Sequence, residues 1–235
     1  MAKTKTLYER FLARGSKMKE IRFFGIQDFG RDFGTQNLIP GRKVYGERLT
    51  QHAGKEYRMW DIYRSKIAAA IKQGLRTFPF QEDTKMLYLG AGNGTTVSHF
   101  SDILTKGQIF AVEFSARSTV DLLLLAKQRQ NIVPLLADAN KPQDYLQIVP
   151  QVDVIYQDIA QRGQVDILSK NVDIFLKDNG FIFLMVKARS IDVVMEPKNV
   201  FKIVSAQMQN KYKILEQLYL DPYEKDHMCV VAQVK

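Results

Sequence analysis

From residue 85 onward, short apolar runs alternate with stretches whose apolar positions recur every three or four residues. The runs are KMLYLG, QIFAVEF, NIVPLLAD, VDVIYQD, FIFLMVK, KILEQLYL and HMCVVAQV. Each has the length and β-branched or aromatic content of a strand. The stretches at 95–105, 116–129, 163–178 and 198–211 predict helices. Strands alternating with helices predict a mostly parallel sheet covered on both faces. Only DPYEKD separates the last two runs, which permits an antiparallel hairpin at the sheet edge. Upstream, YRSKIAAAIKQGLR places Ile67, Ile71 and Leu75 four residues apart and predicts a helix over 64–76 with one buried stripe. Residues 1–58 follow neither pattern. Short runs such as EIRFFGI, NLIPGRKVYGE and EYRMW are broken by Gly, Asp, Asn and Pro, as in short strands and turns. The expected organisation is a small β-rich unit over 1–58 and an α/β domain over 59–235.

Composition narrows the class. The chain has 235 residues, 46% of them hydrophobic and 25% charged, as in a globular protein able to bury a good core. No apolar run reaches the roughly 18 residues of a membrane span, so no membrane partner is expected. The opening MAKTKTLYERFLARG lacks the apolar core of a signal peptide. The lone Cys229 allows no internal disulfide. These features lead to the expectation of a cytoplasmic protein without a targeting segment. Charge changes the picture more. Residues 1–76 carry 17 Lys and Arg against 7 Asp and Glu, a balance of +10, whereas 77–235 carry 17 against 18, a balance of −1. A localised basic surface suits nucleic acid; a solvated basic face or a face for an acidic protein is the competing reading.

Chemistry is expected at the carboxyl ends of the strands, where open α/β sheets collect ligands. The first strand runs into the turn Gly90–Ala91–Gly92, with Gly94 beyond it, so bare backbone reaches the sheet end. The next strands end in Glu113, Asp138, Asp158 and Lys187. One polar residue at a strand end is ordinary solvation; an ordered set behind a glycine turn is a constellation. A phosphate is not the expected ligand. After the third glycine comes Thr95, and there is no Gly-Lys-Ser/Thr for a nucleotide triphosphate. Glu113 suits a carboxylate accepting from two ribose hydroxyls, and Asp138 suits an adenine amino group. A nucleoside without phosphates beside a glycine turn describes S-adenosylmethionine. Asp158 and Lys187 should lie side by side, with Lys66 from the preceding helix and His227 from the last strand. Such a set suits deprotonation of a weakly acidic hydroxyl. A lysine acts as a base when a second ammonium pushes its pKa down, while an aspartate orients it. Each lysine alone would read as a surface ion pair. No metal site is expected.

The motifs NLIPGRKVYGE, YRSKIAAAI, LYLGAGNGTTVSHFSDI, AVEFSARS, VDVIYQDIAQ, VKARSID and DPYEKDHMCVV closely resemble fibrillarin, from about residue 36 to the end. Residues 1–35 match only loosely, and the Gly/Arg-rich tail of eukaryotic fibrillarins is absent, as in the archaeal type. GAGNGTT departs from the GAASGTT-like forms common in the family, a change that should not impair the turn. The resemblance implies a Rossmann-like seven-stranded methyltransferase sheet, mostly parallel with a C-terminal antiparallel hairpin, behind a small β-rich N-terminal domain. It implies methyl transfer from S-adenosylmethionine to the ribose 2′-hydroxyl of rRNA, with tRNA as a further substrate. Donor contacts would fall on the glycine turn, Thr95, Thr96, Glu113, Phe114, Asp138, Ala139, Asp158, Ile159, Ala160 and Gln161. The catalytic set would be Lys66, Asp158, Lys187 and His227, although related ribose methyltransferases often carry a glutamate in the fourth place.

The resemblance also implies a box C/D ribonucleoprotein. A guide RNA pairs with the substrate RNA, and a Nop-family scaffold with a kink-turn-binding ribosomal-type protein holds the enzyme over one nucleotide. The chain has no RNA-recognition motif, KH loop or zinc knuckle of its own. Methylation of a protein glutamine and a purely structural role in the particle are the alternatives; the intact Lys66, Asp158 and Lys187 speak against the latter.

Overall fold

The computed structural model describes residues 21–235. The opening segment compared above with a signal peptide lies outside the described residues. Four short strands come first: β1 (Ile26–Asp28), β2 (Phe33–Gln36), β3 (Leu49–His52) and β4 (Lys55–Met59). They form an antiparallel sheet in the order β1-β2-β4-β3. EYRMW became β4 as expected, but among the described residues of EIRFFGI only Ile26 enters a strand, as the first residue of β1, and NLIPGRKVYGE is entirely loop. Side chains hold that loop in place of a strand ladder. Asn37 accepts from the Ile39 N–H at 3.1 Å, Glu56 from the Gly41 N–H at 2.7 Å and Glu47 from the N–H groups of Val44 and Tyr45. Side-chain oxygens thus satisfy backbone donors that a sheet would otherwise pair.

The second sheet has seven strands: β5 (Lys85–Leu89), β6 (Gln108–Glu113), β7 (Ile132–Leu136), β8 (Val152–Gln157), β9 (Leu176–Lys187), β10 (Tyr212–Tyr219) and β11 (His227–Val234). Their order is β10-β11-β9-β8-β5-β6-β7. β7, β6, β5, β8 and β9 are parallel, and β11 and β10 pair antiparallel at one side. The expected hairpin is present, with β10 at the edge. The helices are α1 (Lys66–Lys72), α2 (Thr95–Ile103), α3 (Ala116–Gln128), α4 (Gln164–Phe175), α5 (Ala188–Ile191) and α6 (Pro197–Lys211). α4 is shorter than expected because Leu176 already pairs with Val152 in β9, and the Lys177–Gly180 segment then bulges out before Phe181 meets Val154. α1 is also shorter, and Ile67 through Ile71 are all buried rather than only one stripe. No helix among the described residues is long and apolar enough to cross a membrane.

Alternation along the strands gives each face its own core. Met86 and Tyr88 face α1, α2 and α3, in a cluster that also takes in Ile26, Phe33 and Trp60 of the small sheet. Leu87 and Leu89 face α4 and α6. The small sheet is therefore fastened to one face of the large one by shared apolar burial.

It is also fastened by a buried polar network. Arg58 of β4 is fully buried; it donates to Glu47 at 2.5 Å, to Asp102 at 2.9 Å and to Ser98 at 2.8 Å. Arg129, after α3, donates to the other Asp102 oxygen at 2.6 Å. Thr35 donates to Asp102 at 2.7 Å and lies 2.8 Å from His99 Nδ1. Having one hydroxyl proton, Thr35 must accept from Nδ1–H, which leaves Nε2 of a neutral His99 to accept from Tyr45 at 2.7 Å. Burial first, then Arg58 and Arg129, hold the His99 pKa well below its usual value.

Because the folded state refuses a proton that the unfolded chain takes up near pH 6.5, this contribution to stability is present above that pH and is lost as pH falls below it. His99→Gln removes the titration. Urea melts should show the advantage of the wild type over His99→Gln shrinking by about 2 kcal/mol between pH 7.5 and 5; a constant difference would exclude a buried neutral His99.

Candidate active site

Along the chain, β5, β6 and β7 step outward on one side, and β8 then returns to the other side of β5. That reversal leaves a crevice beyond the carboxyl ends of β5 and β8, the place where open α/β sheets bind ligands. A cleft of about 630 Å³ opens there, inside the range of about 300–1,000 Å³ usual for cofactor sites. Its walls include Gly90, Ala91, Gly92, Thr95, Thr96, Glu113, Phe114, Ala139, Asp158, Ile159, Ala160, Gln161 and Lys187.

The glycines divide the work. Gly90 has φ +84°, and a Cβ there would lie 2.6 Å from the backbone oxygen of Asp158. Its bareness is needed for the close approach of the two strand ends. Gly92 has φ +55°, and a Cβ there would meet nothing, so it faces the open cleft. Its N–H donates to Glu113 Oε2 at 2.7 Å, and the Ser115 N–H donates to Oε1 at 2.8 Å. Glu113 thus pins the glycine turn and the start of α3, and each oxygen keeps a lone pair for hydroxyls in the cleft. Phe114 beside it is 71% exposed, an open aromatic face at the rim. Thr96 is buried and donates to Ser65 at 3.0 Å. Asp138 stands outside the cleft wall, between Ala137 and Ala139, which do line it. Its Oδ1 accepts from the Asn140 N–H at 2.9 Å and braces the following turn.

The ionisable groups converge on Asp158, one residue past β8. Lys187, the last residue of the neighbouring β9, places its Nζ 3.0 Å from Oδ1 and 3.2 Å from the Asp158 carbonyl. Lys66, the first residue of α1, places its Nζ 3.4 Å from Oδ2. All three side chains are mostly buried, with 14–20% of their surface exposed. Two ammonium groups therefore share one carboxylate. His227 stands opposite Lys187 in the β9–β11 register, without a direct bond to the other three. Its Nδ1 donates to the Lys225 carbonyl at 2.6 Å, so Nε2 is the acceptor. Burial, then Lys66, lowers its pKa. Sequence reasoning missed two charged neighbours. Arg64 lines the cleft two residues before Lys66. Glu224, in the β10–β11 connection, has its pKa raised by burial while Lys66, Asp158 and Lys187 act on it. Both sit inside quoted motifs, YRSK and YEKDH, and that proximity was the available signal.

The fibrillarin family model matches residues 14–235. The chain belongs to the fibrillarin family. A relative in Thermococcus onnurineus, a fibrillarin-like rRNA/tRNA 2′-O-methyltransferase, is 46% identical over 223 residues, covering 92% of this chain and 99% of that one. The solved structure of Aeropyrum pernix fibrillarin with natively bound S-adenosyl-L-methionine superimposes with a TM-score of 0.81 at 42% identity, covering 92% of this chain and 96% of that one. A fibrillarin in complex with Nop5p superimposes with a TM-score of 0.86 at 43% identity, covering 92% of this chain and all of that one. The fibrillarin match takes in the small sheet as well as the large one, so the polar network between them lies within the family's extent.

The two glycines of the turn should differ in cost. Gly90→Ala meets both the positive φ and the Asp158 backbone, whereas Gly92→Ala meets only the φ. Denaturant melts should place Gly90→Ala below Gly92→Ala by at least about 1–2 kcal/mol. Equal losses would show that the β5 and β8 ends do not approach as described.

Proposed function

We propose that this fibrillarin-family chain is an S-adenosylmethionine-dependent methyltransferase that modifies the ribose 2′-hydroxyl of RNA, directed by a box C/D guide RNA. The observation that carries this reading is the meeting of Lys66, Asp158 and Lys187 at the edge of a nucleoside-sized cleft. The cleft residues fit the donor. Glu113 keeps lone pairs for two ribose hydroxyls, the open face of Phe114 suits adenine, and the cleft-facing Gly92 leaves room beside them. When bound, the donor supplies an electrophilic methyl group on a sulfonium centre.

The chain's own residues handle the acceptor. A ribose hydroxyl is too weakly acidic to ionise at pH 7, so a base must take its proton as the methyl moves. Asp158 orients both amines; whichever lysine is unprotonated accepts the proton, and the other ammonium steadies the developing alkoxide. His227, kept neutral with Nε2 free, is a further acceptor beside Lys187. The fibrillarin–Nop5p complex supports a Nop-family partner. A kink-turn-binding protein and the paired guide would complete the particle, and the basic residues of the first third would meet RNA backbone, which positions without specifying sequence.

Reconstitution tests the reading. With guide RNA, Nop-family scaffold and kink-turn-binding protein, labelled methyl should go from S-adenosylmethionine to one ribose. The isolated chain should be far slower, because placement of reactants can be worth about 7–11 kcal/mol. Efficient site-specific methylation of unguided RNA would overturn guide dependence, and methylation of a protein glutamine alone would overturn the RNA substrate.

Single-turnover rates in the same particle test the chemistry. Lys187→Ala and Asp158→Ala should each lower the rate by about two to four orders of magnitude. Lys187→Arg should not rescue, since guanidinium stays protonated. Near-normal rates for Lys187→Arg would assign Lys187 to positioning and the proton to Lys66 or water.

A further inference from the structure

Two neighbouring side chains before α1 take opposite directions. Arg64 lines the donor cleft, whereas Tyr63 is absent from its walls and lines a separate cavity of about 350 Å³ with Arg31, Arg48 and Trp60. Tyr63 is 65% exposed, yet its place is fixed. Its N–H donates to Asp61 Oδ1 at 2.8 Å. Its ring meets Tyr223 edge-on, with centroids 5.8 Å apart and planes at 70°. Tyr223 packs against the core, and its N–H donates at 2.9 Å to the carbonyl of the fully buried Leu220. An edge-on pair covers at most one face of Tyr63, and its exposure leaves the ring open to a second planar group.

Both rings flank the catalytic groups through short stretches of chain. Tyr63 precedes Lys66 by three residues, a span of at most about 11 Å, and Tyr223 lies in the same β10–β11 connection that leads into His227. Glu224, next to Tyr223, feels Lys66, Asp158 and Lys187. Asp158 and Lys187 line the donor cleft, but Lys66 and His227 stand outside its walls. A hydroxyl that reaches these four groups while the donor fills the cleft comes in from the other side, and the strand carrying it passes the Tyr63–Tyr223 pair.

We infer that Tyr63, braced by Tyr223, is the stacking seat for a base of the substrate RNA at or next to the methylated nucleotide. The inference rests on the RNA reading above. An aromatic face takes any base, whatever sequence a guide selects. The cavity beside Tyr63 also offers a cation. Arg48 is paired with Asp32 at 2.8 Å, whereas Arg31, in the same wall, forms no ion pair among the described residues and is open to an adjoining phosphate. A protein scaffold is the competing occupant; the short span from Tyr63 to Lys66 favours the RNA, whose hydroxyl must come to that lysine.

Single-turnover methylation in the reconstituted particle, below saturation and with normal and abasic substrates, tests the seat. On normal RNA, Tyr63→Ala should lower the rate about 5- to 100-fold, the worth of one base on an aromatic ring. Tyr63→Phe keeps the ring and should stay near the wild-type rate. Substrates that lack the base at the methylated nucleotide or at either neighbour give the decisive comparison. On one of the three, the wild type should slow to the level of Tyr63→Ala, and the substitution should then cost nothing further. An equal loss on every substrate, or normal rates for Tyr63→Ala, would show that no base rests on the ring and overturn the seat. Lost capture by the Nop-family scaffold would assign Tyr63 to a protein contact and also overturn it. Calorimetry should find S-adenosylhomocysteine bound by Tyr63→Ala as by the wild type; weaker binding would move the ring to the donor side and overturn the seat as well. If the wild-type particle transfers no methyl to RNA, the RNA reading itself fails, a result distinct from these.

Discussion

One buried carboxylate holds the parts of the molecule together. Asp102, in the last turn of α2, binds Arg129 through one oxygen and Arg58 and Thr35 through the other, and the Leu38 N–H donates to it as well. Arg58 comes from the small sheet, Arg129 from the end of α3, and Asp102 from the helix whose opposite end forms the cleft wall at Thr95 and Thr96. Burial alone would raise the Glu47 pKa, but Arg58 and the N–H groups of Tyr45 and Val44 outweigh it and hold Glu47 below the usual carboxylate range. Two arginines thus face two carboxylates, and the network is neutral. An uncompensated buried charge costs about 3–5 kcal/mol when one partner is removed, so each member depends on the others. The orientation of α2 is fixed by directional bonds at one end, and the cleft wall inherits that orientation at the other.

The network reaches the cleft by a second route. Asp102 accepts from Thr35, Thr35 accepts from His99, and His99 accepts from Tyr45. Trp60 stacks on the imidazole, with centroids 4.6 Å apart. Tyr45 carries Arg64 on its ring and carbonyl at the cleft rim. A proton count along this chain admits one arrangement, with His99 neutral and its hydrogen on Nδ1. Protonating His99 would place a third cation against Arg58 and Arg129 and take the acceptor from Tyr45. The small sheet is therefore more than an appendage. With its 37–47 loop it supplies Arg58, Glu47, Thr35 and Tyr45, and through them it positions groups that the methyltransferase sheet alone does not hold.

What could be read from the sequence follows from what each signal reports. Strands buried on both faces are continuous apolar runs, so KMLYLG and VDVIYQD announced β5 and β8 within a residue. Strand order placed Asp158 beside Lys187, because parallel neighbours end at the same side. The small sheet was harder. In its short strands FGTQ and LTQH, Thr and Gln do not stand out, whereas the aromatic and basic loop 37–47 resembles broken strands. The polar network was not legible at all. Arg58, Arg129, His99 and Asp102 look like solvent-facing residues, and only their meeting in three dimensions makes burial affordable. Arg58 also entered the basic balance of the first third, although Glu47 and Asp102 neutralise it inside the protein. The glycine turn was placed correctly but explained incompletely. Its first residue, Gly90, lines the cleft and also makes room for the Asp158 backbone.

That exchange explains why donor and acceptor chemistry can share one junction. The Asp158 N–H donates to the Leu89 carbonyl at 2.8 Å, and the Asp158 carbonyl receives the Lys187 amine at 3.2 Å. Gly90 follows Leu89 and begins the turn whose Gly92 N–H binds Glu113 at 2.7 Å. The groups suited to a nucleoside and those suited to a hydroxyl proton are therefore separated by a few backbone bonds across two adjacent strand ends. A shift of the β5 end moves both sites together, so their relative placement is set by the sheet and not by side-chain rotamers. For a reaction whose rate depends on alignment of a methyl group with one oxygen, where an error of about 1 Å can cost about a hundredfold, a rigid sheet junction holds the donor side constant. The alignment still to be supplied is that of the RNA.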